Sequence, residues 1–300
     1  MTTITTNNQT SIINENRWGQ WAEEGLPRCI DQRLEAGRAF SQSARHSVVA
    51  LAAELGQELE MSTPLRAIDR FLARGETFAD RVDRRAVVII LEHLDQLKAP
   101  ALPWPGWAPE DPFARERVLT DIESGLVRMC AASSSGKAGA VAALDAGAIS
   151  GELGILLGSM AHLGPDGMTI HLDAPGTLRP GGFGYTAANP RRLTVPTWAA
   201  PRFKELMAKT GDDQLLLYGG SSSNPGKIQS SILMIVGKVL GAAGLSGDAT
   251  VKPQSIRNTA ARKLFENEGL EAAAHLLGHD DYTAVAEKIG IRPRKSTRVR

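Results

Sequence analysis

Cysteine is close to absent: Cys29 and Cys130 are the only two thiols in 300 residues. They lie far apart and form no CxxC, so neither a disulfide framework nor a zinc knuckle is written in the chain. Aromatic residues make up only 5%, which argues against an RNA-stacking platform built from exposed rings. No apolar run is long enough to span a bilayer, because Glu152 and Lys238 interrupt the best candidates. The first twenty residues, MTTITTNNQTSIINENRWGQ, lack the apolar stretch of a signal peptide. The expectation is a cytoplasmic chain with no membrane partner.

Net charge is also nearly missing, at +1, but its distribution is uneven. Residues 1–112 carry 12 cations and 16 acids, whereas residues 113–300 carry 22 and 17. The tail RPRKSTRVR (292–300) holds five cations, Arg292, Arg294 and Lys295 among them, and no acid. Such a bias permits a polyanionic partner without establishing one, and a solvated terminus explains the tail equally well.

An apolar share of 42% with 22% charged residues is that of an ordinary globular protein, and the length suits two domains. The segment APALPWPGWAPEDP (99–112) has five prolines, which neither a helix nor a central strand tolerates, so it reads as a connector. Upstream, apolar residues at helical spacing predict helices over 43–59, from Pro64 to about Gly75, and over 83–97. The joint between the first two spans about seven residues, Gln57 to Thr63, longer than a helix-turn-helix uses. Before residue 30, Trp18 and Trp21 mark a mobile arm or a loosely docked helix. Downstream, helices are expected near 114–132, 138–146 and 150–160, the last capped by Ser150. The short β-branched stretches MTIHL (168–172), GYTA (184–187) and RLTVP (192–196) predict a three-stranded antiparallel sheet. Helices over 198–209, 227–243, 253–267 and 270–277 follow. The expected fold is mostly α, in the α+β class. Its parts are an arm (1–29), an all-helical domain (30–98), the linker (99–112), a second domain with the small sheet (113–290) and a basic tail (291–300).

The most informative stretch is KPQSIRNTAARKLFENEGLEAAAHLLGHDDYTAV (252–285). Pro253 opens a helix that Gly269 ends, and Gly278 ends a second, shorter one. Arg257 sits in the first turn of the first helix, and His279 follows the second. A guanidinium and an imidazole brought to one surface suit a phosphate, the first as a planar fork and the second as a proton carrier.

This wording resembles the catalytic domain of the tyrosine recombinases, the phage-integrase family. That family reads H-x-x-R at a helix start, L-L-G-H some twenty residues later, and a nucleophilic tyrosine about nine residues further on. SIRNTAARKLFENEG and HLLGH match it closely. AGAISGELGILLGSM looks like the family's T-G-L-R-x-x-E-L helix, and RRLTVP like its strand ending in V-P. The resemblance implies a helical core-binding domain followed by a catalytic-type domain, double-stranded DNA as partner, and no cofactor or metal. It also implies oligomers that exchange a C-terminal segment, although the residues after Gly290 suit a DNA-contacting tail as well.

Departures from the family pattern shape the functional expectation. Arg257 and His279 are in place, but the first-arginine position is Ile149, and the histidine of H-x-x-R is Gln254. The lysine position falls near Ala188, with Arg191 and Arg192 close by, and the nucleophile position is Lys288. Phosphodiester attack needs preorganised cations and an oxygen nucleophile. Tyr282 is the rescue candidate, three residues past His279 and beside Asp280 and Asp281, and a structural role fits it too. The expectation is a DNA-binding protein of this fold that performs no strand exchange and acts as a regulator or accessory factor. A repressor, or a mobile-element or plasmid maintenance factor associated with the nucleoid, would fit. The rivals are an active recombinase using Tyr282 or another tyrosine, and a helical scaffold that never touches DNA.

Weaker signals complete the reading. SSSGKAG (133–139) and GGSSSNPGKI (219–228) miss the phosphate-loop pattern and read as loops, leaving Lys137 and Lys227 as phosphate-contact candidates beside Arg191 and Arg192. Arg45, Arg66, Arg70 and Arg74 are either phosphate contacts or solvated helix faces. His46, His93, His162 and His171 have no metal-ligand spacing.

Overall fold

The computed structural model describes residues 26–95, 116–165, 167–172 and 190–291. The chain divides into two compact units, Met1–Glu110 with Thr120–Leu126, and Asp111–Leu119 with Val127–Arg300.

The first unit is helical throughout its described length: α1 (Leu26–Gly37), α2 (Gln42–Met61), α3 (Pro64–Ala73) and α4 (Phe78–Asp95). The Ser41 side chain caps α2 by accepting from the Ala44 amide, and Ala44, Val48, Ala52, Leu55 and Leu59 form its buried stripe. Pro64 opens α3, whose Ala67, Ile68 and Phe71 turn inward. Only Ser62 and Thr63 separate α2 from α3, so the expected seven-residue joint is shorter, because α2 continues to Met61 and buries Glu58 and Leu59 on the way. The Glu58 carboxylate is fully buried, accepts from Arg74 and lies 3.5 Å from Arg70 Nε. Arg45 is likewise paired, with Asp31 at 2.9 Å and Glu35 at 3.3 Å. Three of the four arginines considered as phosphate contacts in this half are thus neutralised within it, and Arg66 is exposed. The helix expected at 83–97 starts earlier, at Phe78. Residues 1–25 and the linker (99–112) lie outside the described residues.

Helix α5 (Asp121–Ala131) begins later than the expected residue 114. Thr120 and Glu123 form a reciprocal cap: the Glu123 carboxylate accepts from the Thr120 amide (2.9 Å), and the Thr120 hydroxyl accepts from the Glu123 amide (3.2 Å). The same hydroxyl donates to Asp83 at 2.7 Å.

In the second unit, α6 (Ser135–Asp145) is buried along Ala138–Asp145 and forms the centre of the core. The Asp145 carboxylate takes a forked pair of bonds from Arg128 and a third from Trp198 Nε1. Helix α7 (Ser150–Leu153) is only four residues long where eleven were expected. Beyond it the backbone pairs with a neighbouring segment: Leu156 O accepts from the Leu216 amide, and the Gly158 amide donates to Gln214 O. Those bonds replace a helical continuation that Gly151, Gly154 and Gly158 support poorly. The sheet is antiparallel in the order β1 (Ala161–Gly164), β2 (Gly167–Leu172), β3 (Arg191–Thr194). Ala161 faces Ile170, which faces Leu193, and this register buries Ile170, Leu172 and Leu193 while His162, Thr169, Arg192 and Thr194 point the other way. The strand expected at 184–187 lies outside the described residues, and β1 was not anticipated. Helices α8 (Ala200–Lys209), α9 (Pro225–Ala242), α10 (Pro253–Glu268), α11 (Leu270–Leu277) and α12 (Tyr282–Lys288) complete the unit. Helix α12 is an addition to the expected pair. Asp281 caps it, and Val285 and Ile289 enter a core with Ala261, Ala273, Ala274 and Leu277.

Candidate functional site

The site is organised around one backbone carbonyl. Gly147 ends α6 with φ +106°, a conformation strained for any residue with a side chain. A Cβ there would also sit 2.5 Å from Leu276 O. Its buried carbonyl oxygen accepts from two guanidiniums, Arg191 Nη2 at 2.9 Å and Arg257 Nε at 2.9 Å.

Arg191 opens β3 and is 6% exposed. It grips Glu152 bidentately, Nη1 to Oε1 at 2.8 Å and Nη2 to Oε2 at 2.7 Å, and its Nε donates to Leu276 O. Glu152, 3% exposed, also accepts from the Ile149 amide at 2.8 Å, so one carboxylate caps α7 and neutralises a buried cation. Arg257, at the start of the second turn of α10, is 2% exposed and donates its Nη2 to Leu277 O. Both arginines thus complete the carboxyl end of α11, where orphan carbonyls favour a positive charge. Burial, reinforced by the neighbouring Arg191 charge, brings Arg257 down to about 10. From the sequence, Arg257 and Arg191 are expected on a surface facing a phosphate. The structure places both in the interior, bound to protein oxygens.

His279 follows the left-handed Gly278 that ends α11. Its Nε2 lies 2.6 Å from the Nζ of Lys288, one helix later. Burial first, then the charges of Lys288, Arg257 and Arg191, push His279 down to about 4, with Asp280 opposing. Burial and Arg257 also lower Lys288, against Glu116. Gln254 donates to the Ser150 hydroxyl at 2.6 Å, while its own Oε1 is buried without a hydrogen-bond partner among the described residues. Ile149, at the first-arginine position, contributes its backbone as the N-cap of α7. Ser150, expected as that cap, is the first helical residue.

Tyr282 starts α12, half exposed, and shares an open cleft of about 570 Å³ with Arg191, His275 and His279. Glu268, Glu271 and Asp280 line the same cleft, which disfavours a phosphate there by like-charge repulsion. Arg192, Lys137 and Lys227 stand apart from this network. Arg192 is exposed on the outer face of β3. Lys137 and Lys227 lie in the first turns of α6 and α9, behind the caps Ser134 and Asn224. Arg292, Arg294, Lys295 and Ala188 are outside the described residues. Among the described residues no three His, Cys, Asp or Glu side chains form a group able to hold a metal, and no helix is long and apolar enough to cross a membrane.

The participants missed from sequence are Glu152 and Gly147. The first was visible as the glutamate three residues past Ile149, where the family wording T-G-L-R-x-x-E-L also carries one.

No protein-family model matches the chain, and no curated protein matches it. Solved structures similar to it include those of recombinases and integrases. They include the XerA recombinase, with a TM-score of 0.47 and 16% identity over 92% of this chain and 94% of that one. A lambda integrase dimer bound to a COC′ core site gives 0.43 and 14%, covering 99% and 85%. The Tn1549 transposon integrase in complex with transposon right end DNA gives 0.42 and 12%, covering 86% and 95%.

Proposed function

We propose that this chain is a DNA-binding protein of tyrosine-recombinase-like architecture that performs no strand exchange and serves as a regulator or accessory factor. The observation that carries the reading is the employment of its two arginines. Arg191 and Arg257 donate to a carboxylate and to three backbone carbonyls, so neither fork is presented to a scissile phosphate. Lys288, rather than a hydroxyl, touches His279. Duplex contact falls to the cations outside this network: Arg192, Lys137 and Lys227, together with Arg292, Arg294 and Lys295 of the tail. Lys137 and Lys227 suit phosphate because each adds its charge to the amides of a helix amino terminus. Such contacts position a protein on DNA without reading sequence.

The test is a titration of duplex across salt. Each phosphate neutralised adds about −0.9 to the log–log slope, so Lys227→Ala and Arg192→Ala each flatten the slope by about one such unit. A binding constant indifferent to salt would leave no case for DNA and favour the scaffold reading. A second reading, cleavage by Tyr282, draws on the cleft that this tyrosine shares with His279 and Arg191. A covalent adduct on a nicked suicide duplex that Tyr282→Phe abolishes would establish that reading in place of ours.

A further inference from the structure

Neither His162 nor His171 has a ligand spacing in the sequence, yet the sheet brings the two together. The register pairs His162 with Thr169 and Thr169 with Thr194, and in the next row His171 with Arg192. Alternation therefore sets all five side chains on the outer face, opposite the buried Ile170, Leu172 and Leu193. The two imidazole rings lie 4.3 Å apart, centroid to centroid, tilted by 45°. The Thr169 hydroxyl, 3.2 Å from His171 Nε2, engages one ring nitrogen and leaves Nδ1 without a partner among the described residues. His162, Arg192 and Thr194 are exposed, and Arg192 forms no ion pair among the described residues. Strands β1 to β3 contain no acid, and Asp166 and Asp173, the nearest in sequence, lie outside the described residues.

Paired imidazoles suit either a metal ion or an anion. No third His, Cys, Asp or Glu joins this pair among the described residues. Arg192 stands directly opposite His171, so the local charge opposes a cation and favours an anion. The five groups rise from adjacent strands of an open face, roughly 7 Å along the strands and 10 Å across them. We infer that this face is a docking surface for the sugar–phosphate backbone of duplex DNA, an inference that rests on the DNA-binding reading above. Arg192 supplies the charge, while imidazole N–H groups and threonine hydroxyls donate to neighbouring phosphate oxygens. The span corresponds to about two to three nucleotides of rise along one strand. Contacts of this kind fix position without reading bases.

The experiment modifies the full chain with diethylpyrocarbonate, free and with saturating duplex, and maps the labelled histidines by peptide mass spectrometry. Duplex binding of the parent and its variants is titrated across salt alongside. Duplex is expected to protect His162 and His171, while His275, exposed in the acid-lined cleft, stays reactive. His162→Gln/His171→Gln is expected to weaken binding about three- to tenfold. Arg192→Gln is expected to lower the magnitude of the log–log slope by about 0.9, whereas Lys209→Gln, an exposed charge outside the sheet, leaves it unchanged. A duplex that binds the parent yet leaves both histidines reactive, or protects His275 in their place, overturns this inference alone. So does unchanged affinity in the double histidine variant. A chain that binds no duplex overturns the inference together with the reading it rests on.

Discussion

Replacing Glu152 by alanine tests the central feature of the site, that its arginines are structural ties. Glu152 and Arg191 are 3% and 6% exposed and joined by two bonds of 2.8 and 2.7 Å. Removing the carboxylate leaves a guanidinium buried with only carbonyl partners, a change that costs roughly 3–5 kcal/mol. The Ile149 amide loses its acceptor as well, adding about 1 kcal/mol. Against a domain stability of roughly 5–15 kcal/mol, the loss is large. Arg191→Met alone is costly on the same scale, because it leaves the buried Glu152 carboxylate with only the Ile149 amide as donor. The double variant Glu152→Met/Arg191→Met removes both charges together, so it should be more stable than Glu152→Ala. The assay is urea unfolding of the full chain followed by circular dichroism, with unchanged slopes confirming comparable transitions. Costs that simply add, or a Glu152→Ala loss below about 1 kcal/mol, would refute the coupled buried pair.

Further consequences can be measured separately. Burial raises Asp83 to about 6, aided by Glu123, Asp80 and Asp121 and opposed by the Thr120 hydroxyl. Because the folded state holds that proton more tightly, stability falls as pH climbs from about 4 to about 6. Asp83→Asn keeps an acceptor for Thr120 and should gain about 1–3 kcal/mol at pH 7.5, and equal melts of variant and parent at that pH would sink the assignment. The His279 ring should remain neutral at pH 5.5, as read from its proton chemical shifts; a midpoint near 6.5 would contradict the Lys288 contact. Gly147→Ala combines a disfavoured φ with a clash on Leu276 O and should destabilise by about 3 kcal/mol or more, with chemical denaturation as the check.

The segments whose apolar residues recur at helical spacing were legible, as α2, α3 and α9 to α11 demonstrate. The elements that escaped have another origin. Strand β1 reads AHLG, with no β-branched residue, and exists because β2 offers it a partner. Helix α7 stops early because backbone pairing with residues 212–216 competes with it. Helix α12 does leave a signal, an Asp281 cap followed by Val285 and Ile289 four residues apart. Arg257 and His279 could be named from a motif. Their partners could not, since Gly147 contributes a carbonyl, a group every residue carries, and Glu152 reaches Arg191 only through the fold.

Arg191 and Arg192 are chemically identical neighbours with opposite fates. The pleat sends one inward to a carboxylate and the other to solvent. Their tolerance of change should diverge accordingly: lysine can replace the outer one, whereas the inner one demands a flat, five-donor cation. A shift of β3 by a single position would exchange their environments and strand Glu152 without its mate. That pairing therefore acts as a lock on strand alignment, enforcing a choice that three short strands would otherwise make weakly.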